Sequence, residues 1–211
     1  RDLREARIVG APDPSLVGRT FAEVAATRGA DPIDCFMDLV AEHGTALRWH
    51  TVIANDRRDE LEWIASHPQV LIGFSDAGAH LRNMGFYNFP LQLLRLARDA
   101  QREGRDFMTV GRAVHRLTGE LADYLGVDAG HLRPGARADL VVVDPEGLDD
   151  TLDELHEVPM PGFPDLQRLV RRNDRAVRSV MVNGRIAWDG REEAPDLGKA
   201  AHYGQLLRGS Y

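Results

Sequence analysis

The spacing of apolar residues changes along this chain, and the changes predict its elements. Phe21, Val24 and Ala25 form a short helical stripe behind Thr20-Phe-Ala-Glu23. That tetrapeptide is a capping box, in which the Thr and the Glu each accept a backbone amide of the other. Ile33, Phe36, Met37 and Val40 recur at helical spacing, with Pro32 at the first helical position and Gly44 past the end. Residues 46–54 read as a strand. A helix capped by Asn55 or Asp56 follows, carries Leu61, Ile64 and Ala65, and ends at Pro68. Residues 70–74, Val-Leu-Ile-Gly-Phe, form an apolar run bounded by turn signals, which predicts a strand buried on both faces. Strand, helix and strand with short links make a βαβ crossover, so the two strands are expected to be parallel.

Leu91, Leu94 and Ala97 predict a helix ending near Gly104. Thr109 starts another, with Val110, Ala113, Val114 and Leu117, which resumes after Thr118-Gly119 and runs towards Gly126. Near residue 131 the period shortens. Residues 138–145 are a β-branched run, residues 146–175 read as irregular, and a short helix or turn is expected around 166–171. Val177–Val182, Asn183-Gly184 and Arg185–Trp188 predict a β-hairpin closed by a type I′ turn. The pattern thus divides the chain into an α/β region over residues 1–130 and a small β region over residues 131–211, with its hairpin near 177–188. Two parallel strands do not close a core, so the chain is expected to be part of something larger or to pair with another chain. An isolated fragment of this kind should cover its open strand edge by forming a homodimer or by exchanging elements.

Composition narrows the classes. The chain has 211 residues with a net charge of −7, which offers no basic field for nucleic acid or an anionic membrane surface. Its one cysteine, Cys35, excludes an internal disulfide framework and a cysteine-rich zinc site, and fits a cytoplasmic setting. No apolar run reaches the roughly 20 residues of a membrane span. The chain opens on Arg1 with neither Met nor a signal-peptide pattern, which is expected of a processed, trimmed or fragmentary chain.

The candidate chemistry gathers in residues 70–80. Asp76 directly follows the apolar run and is expected at the C-terminal end of a strand, the rim where parallel α/β proteins place their reactive groups. A carboxylate there can bind a metal or take a proton from a metal-bound water. It can equally be a helix cap or a solvated turn residue, and the same position suits a phospho-acceptor or nucleotide site. Ser75 and His80 flank it as candidate supporting or substrate-contacting residues. His50 reads as a packing residue, and His43, His67 and His115 as structural residues at or on helices. No His-x-His pair, His-Glu-x-x-His, Gly-x-Ser-x-Gly or phosphate-binding glycine loop occurs. Cys35 falls on the apolar side of its helix and reads as core. The arginines of residues 168–178 read as a solvated face that offsets nearby acids.

Several stretches together resemble one family. Ile72-Gly-Phe-Ser-Asp-Ala-Gly-Ala-His80 is similar to the eighth barrel strand of the metal-dependent amidohydrolase superfamily, closest to the branch of D-aminoacylases, the N-acyl-D-amino-acid deacylases. Residues 116–126, 130–145 and 180–186 resemble the C-terminal tail of those enzymes, and residues 18–25, 31–34 and 38–40 resemble the same branch. The resemblance implies a (β/α)8 barrel with a small β-sandwich. It also implies hydrolysis of amide bonds in a small N-acyl amino acid or a related amide, with a divalent metal, zinc, in the parent enzyme. Asp76 matches the strand-eight aspartate that contacts metal and shuttles the proton.

The departures are as informative. The family's His-x-His, its bridging ligand and its fifth- and sixth-strand histidines have no counterpart here. The chain is therefore expected to be a C-terminal fragment, inactive alone and without a tightly bound metal, Asp76 serving as ligand only beside ligands it does not contain. Pairing with the missing N-terminal half is one expectation. The alternative is a non-catalytic binding or assembly module that lacks the metal-binding half.

Overall fold

Local sequence signals set most of the helix ends. The computed structural model of the chain describes residues 3–73, 75, 78–160, 162–199 and 202–210. By contact the chain divides into two units, Arg1–Ile64 and Ala65–Tyr211. This division concerns compactness, whereas the expected boundary near residue 131 concerns membership of a barrel.

In the first unit, α1 (Phe21–Arg28) starts at the expected capping box. Thr20 Oγ1 accepts from the Glu23 amide at 3.1 Å, and Glu23 Oε2 accepts from the Thr20 amide at 2.7 Å. Helix α2 (Pro32–His43) is capped by Asp31, whose side chain accepts from the Ile33 amide at 2.8 Å. Strands β1 (Arg7–Gly10) and β2 (Arg48–His50) pair antiparallel, with Ile8 opposite Trp49. Ile8, Phe21, Val24, Cys35 and Leu39 are the centre of this unit's core. Phe21, Phe36 and Trp49 meet edge to face, with centroids 5.1, 6.1 and 5.4 Å apart. Such pairs add to area burial through the opposed charge of ring face and edge.

Two expectations change here. The buried line of α2 runs through Cys35 and Leu39, while Ile33 and Met37 are 42% and 59% exposed. Counting Cys35 as a small hydrophobe turns the packed face by about one residue, and it is buried as expected. The strand expected over residues 46–54 shortens to β2, and its partner is β1, which precedes it, so the pair is antiparallel. Residues 70–73 and 75 lie in no strand, and all pairings among the described residues are antiparallel. Among the described residues the βαβ crossover is therefore not formed. Its first strand takes β1 as partner, and the apolar run at 70–73 has no ladder to join.

Helix α3 (Arg58–Ser66) spans the division between the units. In the second unit, α4 (Phe89–Arg102) buries Leu91, Leu94 and Ala97 as its spacing predicts. Thr109 caps α5 (Val110–Leu117), accepting from the Arg112 amide at 3.1 Å, and α6 (Gly119–Leu125) follows after a break at Thr118. On α5 the buried residues are Ala113 and Arg116, while Val114 is 44% exposed. Leu91, Leu94, Ala97, Ala113, Leu148, Leu152 and Ala176 pack as one cluster.

The β elements are β3 (Leu140–Val143), β4 (His156–Met160), β5 (Phe163–Val170), β6 (Val177–Val182) and β7 (Arg185–Trp188). The sheet β3-β6-β7 contains the expected hairpin, and Asn183 and Gly184 turn it at φ +50° and +79°. Those positive values are what a type I′ turn requires. Strands β4 and β5 form a second antiparallel pair inside the stretch expected to be irregular, and β5 replaces the helix or turn expected at 166–171. Pro159 and Pro164 obscured it, since proline argues against a strand. A two-stranded ribbon has free edges that tolerate proline, and the register of this one shifts beside Pro159. Among the described residues, no helix is long and apolar enough to cross a membrane.

Candidate functional site

The candidate segment begins where α3 has ended. The imidazole of half-buried His67 accepts from the Gln69 amide at 3.2 Å, and the His67 carbonyl accepts from the Val70 amide at 3.1 Å, so the chain turns at Pro68. From Val70 to Asn88 no described residue belongs to a helix or strand. Backbone groups outside a ladder still need partners, and here side chains supply several. The guanidinium of Arg116 on α5 donates to the Val70 carbonyl. Arg116 is 1% exposed, and its charge is compensated by Glu120, one helical turn on, at 3.4 Å. Glu120 also pairs with Arg112 at 2.6 Å.

The far end of the segment is tied to β5. The Leu169 amide donates to the Leu81 carbonyl at 2.8 Å, and the Tyr87 hydroxyl donates to the Leu169 carbonyl. Arg171, just past β5, donates through Nε to the Gly85 carbonyl at 2.6 Å and through Nη1 to the Leu152 carbonyl at 2.7 Å. Asn88 Nδ2 reaches the same Leu152 carbonyl at 2.8 Å. Burial pushes the Arg171 pKa down from its ordinary value, partly offset by Asp153; an arginine so placed stays charged. A side chain at Gly85 would meet Leu155 at 3.1 Å, so glycine allows the close approach.

Of the residues singled out from sequence, Asp76 lies outside the described residues. Ser75 is half-buried and His80 is exposed. The His80 carbonyl accepts from the Asn83 and Met84 amides at 3.1 and 2.9 Å, which closes a turn. Gly78, Ala79, His80, Leu81, Arg82 and Asn83 line an open depression of about 560 Å³. Cys35 is fully buried, and burial pushes its thiol up, away from the reactive thiolate. His50, expected to pack, is exposed at the end of β2 opposite Arg7. The arginine group at 168–178 divides. Arg175 and Arg178 pair with Asp149 and Asp144, both at 2.7 Å, whereas Arg171 leaves the solvated face to hold backbone carbonyls.

Arg116 and Arg171 were not legible as site residues. The available signal is that Arg116 stands three residues after Ala113 on the apolar line of α5, and four before Glu120. A charged residue on a core line is costly to bury unless paired.

A resident metal needs about three protein ligands. Among the described residues no three His, Cys, Asp or Glu side chains are grouped to hold one. The described residues alone do not fit such an ion.

Comparison with known proteins places the chain. The model of the amidohydrolase family matches residues 5–187. Uncharacterised proteins of Mycobacterium bovis and Mycobacterium tuberculosis are 49% identical over 191 residues, covering 90% of this chain and 31% of each relative. An N-acyl-D-aspartate deacylase of Alcaligenes xylosoxydans xylosoxydans is 29% identical over 182 residues, covering 84% of this chain and 31% of its own length. The chain thus spans about a third of the length of the curated relatives it matches. Among solved structures, N-acyl-D-glutamate deacylase from Bordetella bronchiseptica, complexed with zinc and a phosphonate inhibitor, superposes with TM-score 0.53 and 26% identity. It covers 98% of this chain and 38% of that one. A D-aminoacylase with a binuclear metal centre gives TM-score 0.53 at 23% identity, over 96% of this chain and 37% of that one, a likeness of fold. The match across residues 5–187 shows that this chain belongs to the amidohydrolase family.

Proposed function

We propose that this chain is the C-terminal portion of a metal-dependent hydrolase of the N-acyl-D-amino-acid deacylase type, and that it contributes one wall of the active site. The observation that carries this reading is the family match over residues 5–187 in a chain whose match covers only 31% of the length of each relative, one of which is a deacylase. On this reading residues 1–130 are the last βα units of a (β/α)8 barrel and residues 131–211 belong to a small β-sandwich. The metal, zinc by analogy with the glutamate deacylase, is held mainly by ligands that this chain does not contain, with Asp76 added to them. Those ligands come from the same polypeptide or from a separate chain.

The reaction is hydrolysis of an amide in a small N-acyl amino acid. Water attacks the carbonyl carbon, the C–N bond breaks, and the products are a carboxylate and a free amine. Asp76 takes the proton of the attacking water and returns it to the leaving nitrogen, as a positioned carboxylate can. Ser75 and His80 support Asp76 or touch the substrate. The 211-residue chain alone is inactive.

The test is hydrolysis of N-acyl-D-amino acids by the longer polypeptide that carries this sequence. Asp76→Asn is expected to lower kcat by about a hundredfold or more. Activity that survives the substitution, or full activity in the isolated chain, contradicts the reading.

A further inference from the structure

Strand β5 borders the depression of the candidate site along one edge. Leu81, which lines the depression, accepts the Leu169 amide at 2.8 Å, and the Leu169 carbonyl accepts the Tyr87 hydroxyl. Both backbone groups of Leu169 therefore point away from β4. In an antiparallel pair, positions facing the ladder and positions facing outward alternate. The register sets Val158 opposite Arg168 and Pro159 opposite Gln167. Gln167 thus presents its amide and carbonyl on the same outer edge as Leu169, about 6.8 Å before it. Pro159 fits this phase, because at an outward position its missing N–H costs no ladder bond. Gln167 is exposed, and among the described residues none shares a hydrogen bond with its amide or carbonyl. A strand edge of this kind is a template for an added extended chain.

The chemistry of the edge selects its ligand. In a hydrogen-bonded antiparallel pair, two residues exchange both bonds, each giving its N–H to the carbonyl of the other. An N-acyl amino acid carries both complements on one residue, an amide N–H and an α-carboxylate. The bond from an amide to a carboxylate is charge-assisted and stronger than its neutral counterpart. Among the described residues that line the depression, none is acidic, and His80 and Arg82 are basic.

We infer that the outer edge of β5 at Gln167 is the subsite for the amino-acid part of the substrate. The Gln167 amide donates to the α-carboxylate, and the Gln167 carbonyl accepts the N–H of the amide to be cleaved. The inference rests on the hydrolase reading and deepens it, since it says which part of the substrate meets the ribbon. With both groups fixed, mirror-image amino acids send their side chains to opposite faces of the ribbon, so the edge can tell them apart.

The experiment compares N-acetyl-D-alanine with N-ethylacetamide, the same amide with hydrogen in place of the carboxylate, in the longer polypeptide that carries this sequence. Gln167→Pro removes the outward N–H and no ladder bond. For N-acetyl-D-alanine, KM should rise about tenfold or more with kcat little changed, as for the loss of a bond to a charged group. For N-ethylacetamide, which offers that N–H no carboxylate, kcat/KM should not change. Unchanged KM for N-acetyl-D-alanine, or an equal loss for both substrates, overturns the proposal. If Gln167→Pro does not fold, backbone amide resonances of the unaltered 211-residue chain decide. The Gln167 resonance should shift saturably with N-acetyl-D-alanine and not with N-ethylacetamide, and no shift at Gln167 overturns the proposal. Should the longer polypeptide hydrolyse no N-acyl-D-amino acid while the Gln167 resonance still shifts, the hydrolase reading fails and the subsite stands. Hydrolysis that Gln167→Pro leaves untouched keeps the reading and removes the subsite.

Discussion

The hairpin Val177–Trp188 and the segment 70–88 lie in the same unit and are shaped by opposite means. The hairpin carries its instructions within itself. Its β-branched strands, and an Asn-Gly turn at φ +50° and +79°, specify its fold locally. The segment 70–88 begins with an apolar run that reads equally well as a strand, yet its described residues form none, and its backbone is satisfied by Arg116 and Arg171 from outside. Structure that depends on distant donors can be built where a regular ladder would bury the reactive groups. It is also the kind that sequence pattern conveys least.

The largest expected effect separates the two regions from the exit side. Arg171→Met leaves the Gly85 carbonyl without its donor and removes one donor from the Leu152 carbonyl. A cost of about 2–4 kcal/mol is expected, at roughly 1–3 kcal/mol for each buried group left short. Denaturant unfolding should read the loss, and exchange should rise over residues 81–88 while the hairpin keeps its protection. A loss centred on the hairpin would erase the distinction.

A smaller effect comes from the other side. Gly184→Val forces a β-branched residue to φ +79°, which costs about 1–2 kcal/mol. The rise in exchange should stay within Val177–Trp188, and residues 81–88 should not respond. If they open together, the two regions are one cooperative element.

Acid offers a milder separation. Around β3 and the hairpin, several carboxyls titrate below their ordinary range. For Asp139, desolvation pushes upward but is outweighed by the Asn183 amide at 2.6 Å and by Arg137. For Asp144 the cause is the Arg178 guanidinium and the Glu146 amide; for Asp189 it is the amides of Glu192 and Arg191. A carboxyl with a depressed folded pKa binds more protons when unfolded. Its contribution is therefore complete above the unfolded value of about 3.9 and is lost as pH falls through the folded one. The ties of Arg171 run to the Gly85 and Leu152 carbonyls, which carry no titrating proton. On acidification below about pH 4, hairpin peptides should lose protection before those of residues 81–88. The reverse order would show that carboxylates govern the segment after all.

The same contrast explains what was legible in the sequence. Features decided within a few residues stand as read: the Thr20 capping box, Pro32 at the start of α2, Thr109 before α5, and the Asn183-Gly184 turn. Features decided by a distant partner were not readable. The strand at 46–54 meets β1 rather than the described residues 70–73, because nothing in its own spacing names its partner. Strand β5 was hidden by prolines that a free edge accepts. Arg171 looked like one solvated arginine among several, since only the fold brings the Gly85 and Leu152 carbonyls to it. For the candidate site, the segment was legible through its apolar run ending in Ser75-Asp76, and Asp76 itself lies outside the described residues. Arg116 was not legible as a tie, because a buried guanidinium on a helix reads like any exposed one until its neighbour is known.

The central claim is that this chain supplies one carboxylate to a site completed by residues it does not contain. A calorimetric zinc titration of the 211-residue chain tests it most directly. The account predicts no stoichiometric tight binding, because about three ligands are required and among the described residues no three His, Cys, Asp or Glu side chains are grouped to hold an ion. One-to-one binding of zinc with tight affinity, lost in Asp76→Asn, would contradict it.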